Sequence, residues 1–182
     1  MKKRAQSGFT LIEFMVVIAI AAVLLTVGIP SMKYLIERNA VNGHVSMLIG
    51  DVTLARSEAI KRNAPVIMCV SVGADTSSTP DCAASGDWKS GWLVFVHRGS
   101  GSSFAPNSGD VLLRAQGPLS DSGGITQTGT GVLVFRNTGL LSSGASTITF
   151  KSASQATNQQ QRVCISMTGR TRRLDQGTDT CS

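Results

Sequence analysis

Residues 9–29, FTLIEFMVVIAIAAVLLTVGI, constrain this chain more than any other stretch: 21 residues carrying a single charge, Glu13. As an α-helix rising about 1.5 Å per residue they would extend about 31 Å, which matches a hydrocarbon core about 30 Å thick and predicts a membrane span. Lys2, Lys3 and Arg4 precede the run with no acid among them, so the positive-inside rule leaves the N-terminus in the cytoplasm and sends the rest of the chain outward. No small-residue cleavage site follows. Ala21 to Pro30 leads straight into helix-like sequence, and the apolar run is expected to be retained. Glu13 is the anomaly, because a carboxylate at the cytoplasmic edge of an apolar span is costly unless a cation meets it, and this marks it as functional.

The basic leader, Gly8, and then Phe9-Thr10-Leu11-Ile12-Glu13 resemble the type III signal of type IV pilins and pseudopilins. The resemblance implies that a prepilin peptidase cuts between Gly8 and Phe9 and methylates the new amine. That amine, on the same chain or on a neighbouring pilin in a filament, would give Glu13 its cation in a setting where attraction can offset desolvation. A plain signal anchor with a tolerated edge glutamate is the other reading.

At 182 residues the chain has room for one soluble domain beyond the anchor. Gly28 and Pro30 are expected to kink or loosen the helix. Val41, Val45, Leu48, Val52, Ala55 and Ala59 then recur at spacings of three and four, an amphipathic helix with one buried stripe. The opposite face, Asn42, Asp51, Arg56, Lys61 and Arg62, reads as solvated. Pro65 restricts the residue before it and ends the helix near 63. Beyond Pro65 lie 15 of the 19 glycines, punctuating short β-branched and aromatic runs, so the head is β-rich. Strands are predicted at Val66–Val72, Trp92–His97, Val111–Ala115, Val132–Arg136, Thr147–Lys151 and Arg162–Thr168, with Gly99–Gly109 as a loop and Gly117–Gly131 as a turn-rich stretch. The expected architecture is α+β, a long N-terminal helix packed on an antiparallel sheet. Its parts are a leader at 1–8, a transmembrane half-helix at 9–30, an amphipathic half at 31–64 and a head at 65–182.

Residues 54–66, LARSEAIKRNAPV, with Cys69 and then DWKSGWLVF at 87–95, resemble the GspH/FimT branch of the same superfamily, whose fold is a long helix against β-sheets. His97 stands where that family usually has an aspartate and is read as a strand-end surface residue. Trp88 and Trp92 bracket a strand and read as closing a core.

Four cysteines, Cys69, Cys82, Cys164 and Cys181, are an even count in an exported domain, so disulfides are expected. Three connectivities are possible; Cys69–Cys82 and Cys164–Cys181 are favoured because each closes a short loop from a predicted strand. No Cys-x-x-Cys occurs, and His44 and His97 are far from cysteine in sequence, so neither metal nor cofactor is expected. No catalytic signature is present, and the chain is not read as an enzyme.

Charge singles out the tail. Without the leader the chain carries +3, while residues 136–182 hold six basic side chains and two acidic ones. The densest part is Gly169-Arg170-Thr171-Arg172-Arg173. In an extended segment Arg170 and Arg172 share a face about 7 Å apart, comparable to phosphate spacing on a nucleic acid strand, and arginine offers a planar fork for phosphate oxygens. The segment resembles the Gly-Arg-x-Arg motif of FimT-type minor pilins, which implies DNA binding in natural transformation, with Arg170 and Arg172 leading and Arg173 assisting. The implied partners are the peptidase, other major and minor pilins or pseudopilins, the inner membrane and DNA, with the head periplasmic and surface-exposed in a pilus. The alternative is a structural GspH-like pseudopilin of a type II secretion system that touches no nucleic acid.

Overall fold

The structure, a computed structural model, describes residues 10–83, 85–99, 103–129, 131–174 and 181, without the side chains at 27–31 and 106. A single helix, α1, runs Leu11–Arg62. Its first turn is closed by Thr10, whose Oγ1 accepts the amide of Glu13 at 3.3 Å, an N-terminal cap with glutamate three residues on. The expected loosening at Gly28 and Pro30 does not interrupt the helix; proline withdraws one donor, and the helix continues on both sides of it. The helix stops as Pro65 requires. Asn63 takes a left-handed φ of 49°, the Asn63 amide donates to the Ile60 carbonyl at 3.3 Å, and the Ala64 amide reaches Ala59 at 3.2 Å, a Schellman ending with asparagine in glycine's place.

The described residues form two compact units, one ending at residue 36 and the other starting at residue 37. In the first, the side chains from Leu11 to Thr26 are exposed. Among the described residues no helix is long and apolar enough to cross a membrane.

The second unit holds eight strands among the described residues: β1 (Val66–Val70), β2 (Trp92–Val96), β3 (Val111–Gln116), β4 (Ser122–Gln127), β5 (Val132–Phe135), β6 (Ser146–Ser152), β7 (Gln161–Ile165) and β8 (Thr171–Leu174). They make two four-stranded sheets, ordered β3-β2-β1-β5 and β4-β6-β7-β8, and every neighbouring pair is antiparallel. The fold is therefore α+β as expected, with the strands divided between two sheets. The helical stripe Val41, Val45, Leu48, Val52, Ala55 and Ala59 is fully buried and shares one core with Met68 and Val94 of the first sheet and Phe150 and Val163 of the second.

The first sheet is covered on its other face as well. Ile67, Cys69, Leu93 and Phe95 pack in a second cluster with Ala74, Cys82 and Phe104, and the Cys69–Cys82 disulfide clips the intervening segment onto β1. This is why β1 and β2 read as unbroken apolar runs.

Several sequence expectations shift. Ser122–Gln127 is a strand and not a turn-rich stretch: its ladder with β6 changes register between Ser122 and Gly124, and a Cβ on Gly123 would fall 1.9 Å from the Ser152 carbonyl oxygen. The glycines that suggested a turn serve a bulge. β1 stops at Val70 and β7 at Ile165, shorter than read. Asp51 is not on a solvated face. It is buried, accepts the Trp92 indole N–H at 2.8 Å and lies 3.5 Å from Arg114 Nε, because a buried tryptophan requires an acceptor. Trp88 and Trp92 are fully buried, as core residues.

His97 is also not a surface residue. It is buried, its ring meets the edge of Phe95, and Nδ1 lies 3.3 Å from Asp110 Oδ2. Asp110 accepts the amides of Arg98 at 2.7 Å and Ala105 at 3.0 Å, so the chain after β2 is tied back across His97.

Candidate nucleic-acid interface

The arginine segment is built by the β7–β8 hairpin. Its turn, Ser166 to Arg170, is closed by the Ser166 amide on the Arg170 carbonyl at 2.9 Å and the Gly169 amide on the Ser166 carbonyl at 2.8 Å. The Ser166 hydroxyl also accepts the Arg170 amide at 3.3 Å. Gly169 sits at φ 70°, where a Cβ would come 2.5 Å from the Gly139 carbonyl oxygen, so glycine is required there for both conformation and space.

Register decides where each arginine points. Arg173 pairs with Val163, Arg172 with Cys164 and Thr171 with Ile165. Val163 and Ile165 belong to the core shared with the helix, so Thr171 and Arg173 lie on that side, and the Arg173 Nη2 donates to Ser46 Oγ of α1 at 3.0 Å. Arg172 lies on the opposite, outer face, and Arg170, two residues before it, is exposed like it. The expected trio therefore divides: Arg172 on the outer face, Arg173 across the sheet and against the helix, and Arg170 exposed in the turn ahead of β8, beside Thr53 and Arg56 of the helix.

The outer face carries more charge than the hairpin alone. β6 alternates buried and half-buried side chains, Phe150 and Ile148 facing the core and Lys151, Thr149 and Thr147 facing out. Thr149 stands opposite Arg162 and Thr147 opposite Cys164. Lys151, Arg162 and Arg172 thus share one face, with β8 as the sheet's edge. Tail position alone suggested a basic cluster, and the register shows which members lie side by side.

Cys164, the direct cross-strand neighbour of Arg172, is bonded to Cys181, and the Cys181 sulfur rests 3.4 Å from the Ser146 carbonyl oxygen. Asp175 and Asp179 lie outside the described residues, as do Gly8 and Phe9. Glu13 is exposed in the first turn of α1, apart from the arginine hairpin in the sequence and in the other compact unit. One residue near the hairpin escaped the sequence reading: Arg56, placed on a solvated helix face by periodicity, is half-buried beneath the Gly169 turn, where a Cβ would meet its Cδ at 3.0 Å. No local signal marks such a contact, since it joins residues more than 100 positions apart.

Two family models match the sequence. One, described as Type II transport protein GspH, covers residues 44–169; the other, described as the prokaryotic N-terminal methylation motif, covers residues 3–29. No curated protein sequence matches significantly. Among solved structures the type IV minor pilin FimU of Pseudomonas aeruginosa superposes with a TM-score of 0.58 at 19% identity, covering 76% of this chain and 91% of that one. The minor pseudopilin EpsH from the type 2 secretion system of Vibrio cholerae gives 0.50 at 13% identity, covering 76% and 98%. At these identities the likeness concerns the fold.

Proposed function

Because the chain belongs to the GspH family, we propose that it is a minor pilin or pseudopilin of a type IV filament machine, displaying a DNA-binding hairpin. The filament reading is supported by the methylation motif at residues 3–29 lying ahead of the family domain. In this reading prepilin peptidase cuts between Gly8 and Phe9, residues 9–30 anchor the chain in the inner membrane with the head periplasmic, and Glu13 pairs with the new amine of Phe9 during assembly with other pilins. Mass spectrometry of the mature protein tests this directly: the chain should begin at a methylated Phe9. Retention of Met1 would refute it.

Nucleic-acid binding is supported by one observation above the rest, the exposed Arg172 beside Lys151 and Arg162 on the outer face of an edge hairpin, with Arg170 exposed in the turn that leads into it. Each guanidinium can engage a phosphate through its fork, so binding is tolerant of sequence and falls with salt, log K declining by about 0.9 per phosphate neutralised on duplex DNA. In a fluorescence anisotropy titration of full-length protein in detergent, Arg170→Ala with Arg172→Ala should weaken binding and flatten the salt slope by about two. An unchanged titration in the double variant, or no binding by the wild-type chain at low salt, would favour the alternative of a structural pseudopilin in a type II secretion system with no nucleic-acid role.

A further inference from the structure

Arg56 is held in an unusual way for a helix-surface arginine. Its Nε is buried and finds no hydrogen-bond partner among the described residues. Two turns press on it: Gly139, at φ 78°, where a Cβ would come 3.3 Å from Nε, and Gly169, at φ 70°, where a Cβ would come 3.2 Å from Nε. Both positions therefore exclude a side chain, and the guanidinium stem runs between helix and turns.

Beside it opens a pocket of about 270 Å³ lined by Thr53, Arg56, Gly169, Arg170 and Thr171. Two of the five are arginines and none is an acid. The Thr53 hydroxyl already donates to the Ile49 carbonyl at 2.7 Å, so the guanidinium groups dominate what the pocket can offer a ligand. Nε itself is enclosed by the two turns, so what the lining arginines Arg56 and Arg170 offer the pocket is their charge and the remaining guanidinium N–H groups, which suit an oxyanion through charge-assisted bonds. A tetrahedral phosphate suits two guanidinium groups on different elements better than a planar carboxylate, since its oxygens project in several directions.

We propose that this pocket is a phosphate site that takes one phosphate of the nucleic acid strand contacted by Arg170 and Arg172, with Arg56 as a further phosphate-binding residue. The source of that phosphate rests on the nucleic-acid reading above. The pocket's chemistry does not, and can be tested with inorganic phosphate. Arg170 lines the pocket from the turn that leads into β8, so a strand following the outer face would reach the pocket at the hairpin turn.

The experiment uses full-length protein in a zwitterionic detergent at constant ionic strength. In proton–nitrogen spectra, the Arg56 Nε–H resonance, assigned by its loss in Arg56→Lys, should shift saturably on adding sodium phosphate to tens of millimolar, and sodium acetate should move it far less. In the DNA titration Arg56→Gln should bind about tenfold more weakly and lose about one unit of salt slope. Should Arg56→Gln not fold, the wild-type spectrum still decides. No phosphate-dependent shift, or DNA binding by a folded Arg56→Gln equal to wild type, would overturn the pocket while leaving Arg170 and Arg172 as the DNA contacts. An equal response to acetate would overturn it in favour of a carboxylate from a protein neighbour. Saturable phosphate binding at Arg56 with no DNA binding by the wild-type chain would overturn the nucleic-acid reading and leave the phosphate site standing.

Discussion

The two sheets of the head each contain four antiparallel strands, and they meet their surroundings differently. β1 and β2 of the first are buried along their whole length, pressed between the helix and a disulfide-clipped segment. β6 of the second is buried at every other residue, and its outer face carries Lys151, Arg162 and Arg172. The central strands of the first sheet, covered on both sides, hold the molecule together, while its edge strand β3 stays exposed. The second sheet leaves the outer face of β6 and its β8 edge for partners, although Cys164 and Leu174 on that side are buried, and the charge surplus of the chain is concentrated there.

The comparison is tested most severely by truncating a side chain on the face of the first sheet that points away from the helix. Phe95 is fully buried, its ring centre 5.1 Å from that of Phe104. Phe95→Ala should cost about 3–5 kcal/mol in urea unfolding, whereas Thr149→Ala on the outer face of the second sheet should stay within about 0.5 kcal/mol. Similar costs at the two positions would break the distinction.

A smaller effect appears in pH dependence, and both carboxylates concerned attach to the first sheet. Burial raises the Asp51 carboxyl above its ordinary 3.8, against the downward pull of the Trp92 N–H and Arg114. The folded state then holds the proton more tightly than the unfolded one, so stability is gained as pH falls through the folded pKa towards 3.8. At Asp110 burial also pushes upward, but the amides of Arg98 and Ala105 together with His97 outweigh it and the net shift is downward. Its contribution is present above 3.8 and is lost as pH falls below that value towards the folded pKa. Asp51→Asn keeps an acceptor for Trp92 and should abolish the gain on mild acidification, read as the urea midpoint between pH 7 and 4. Persistence of the gain in that variant would show that another group carries it.

The difference between the sheets also explains what could be read in advance. β1, β2, β5, β6 and β7 announced themselves because packing demands apolar side chains, continuous where both faces are covered and alternating where one is. β4 was hidden by Gly123 and Gly124, which the bulge against Ser152 requires and which imitate a turn. β8 was hidden because Thr-Arg-Arg-Leu on an edge has little apolar demand, so the arginines were legible as a charge cluster but their division between faces was not. Asp51 and His97 were misplaced for a related reason: the side chains that bury them, Trp92 from across the core and Phe95 with the Asp110 loop, come from other elements. Arg56 belongs to the same class.

The smallest expected effect concerns stability at the arginine hairpin itself. Arg170 and Arg172 are exposed, and exposed substitutions away from caps, cores and strained backbone change stability by about 0.5 kcal/mol or less. Arg170 donates its amide to the Ser166 hydroxyl and accepts the Ser166 amide at its carbonyl, and these backbone bonds survive replacement by alanine. Arg172 stands opposite Cys164, whose bond to Cys181 is unaffected by the change. Arg170→Ala with Arg172→Ala should therefore leave the urea midpoint near wild type while altering the DNA titration, the reverse of the Phe95→Ala pattern. Arg173→Ala separates the two sides of the hairpin further, since it removes the contact with Ser46 on the helix side and should change DNA affinity less than Arg170→Ala or Arg172→Ala. A double variant that loses several kcal/mol would mean that Arg170 and Arg172 brace the hairpin, and the open face of the second sheet would then be structural like the first.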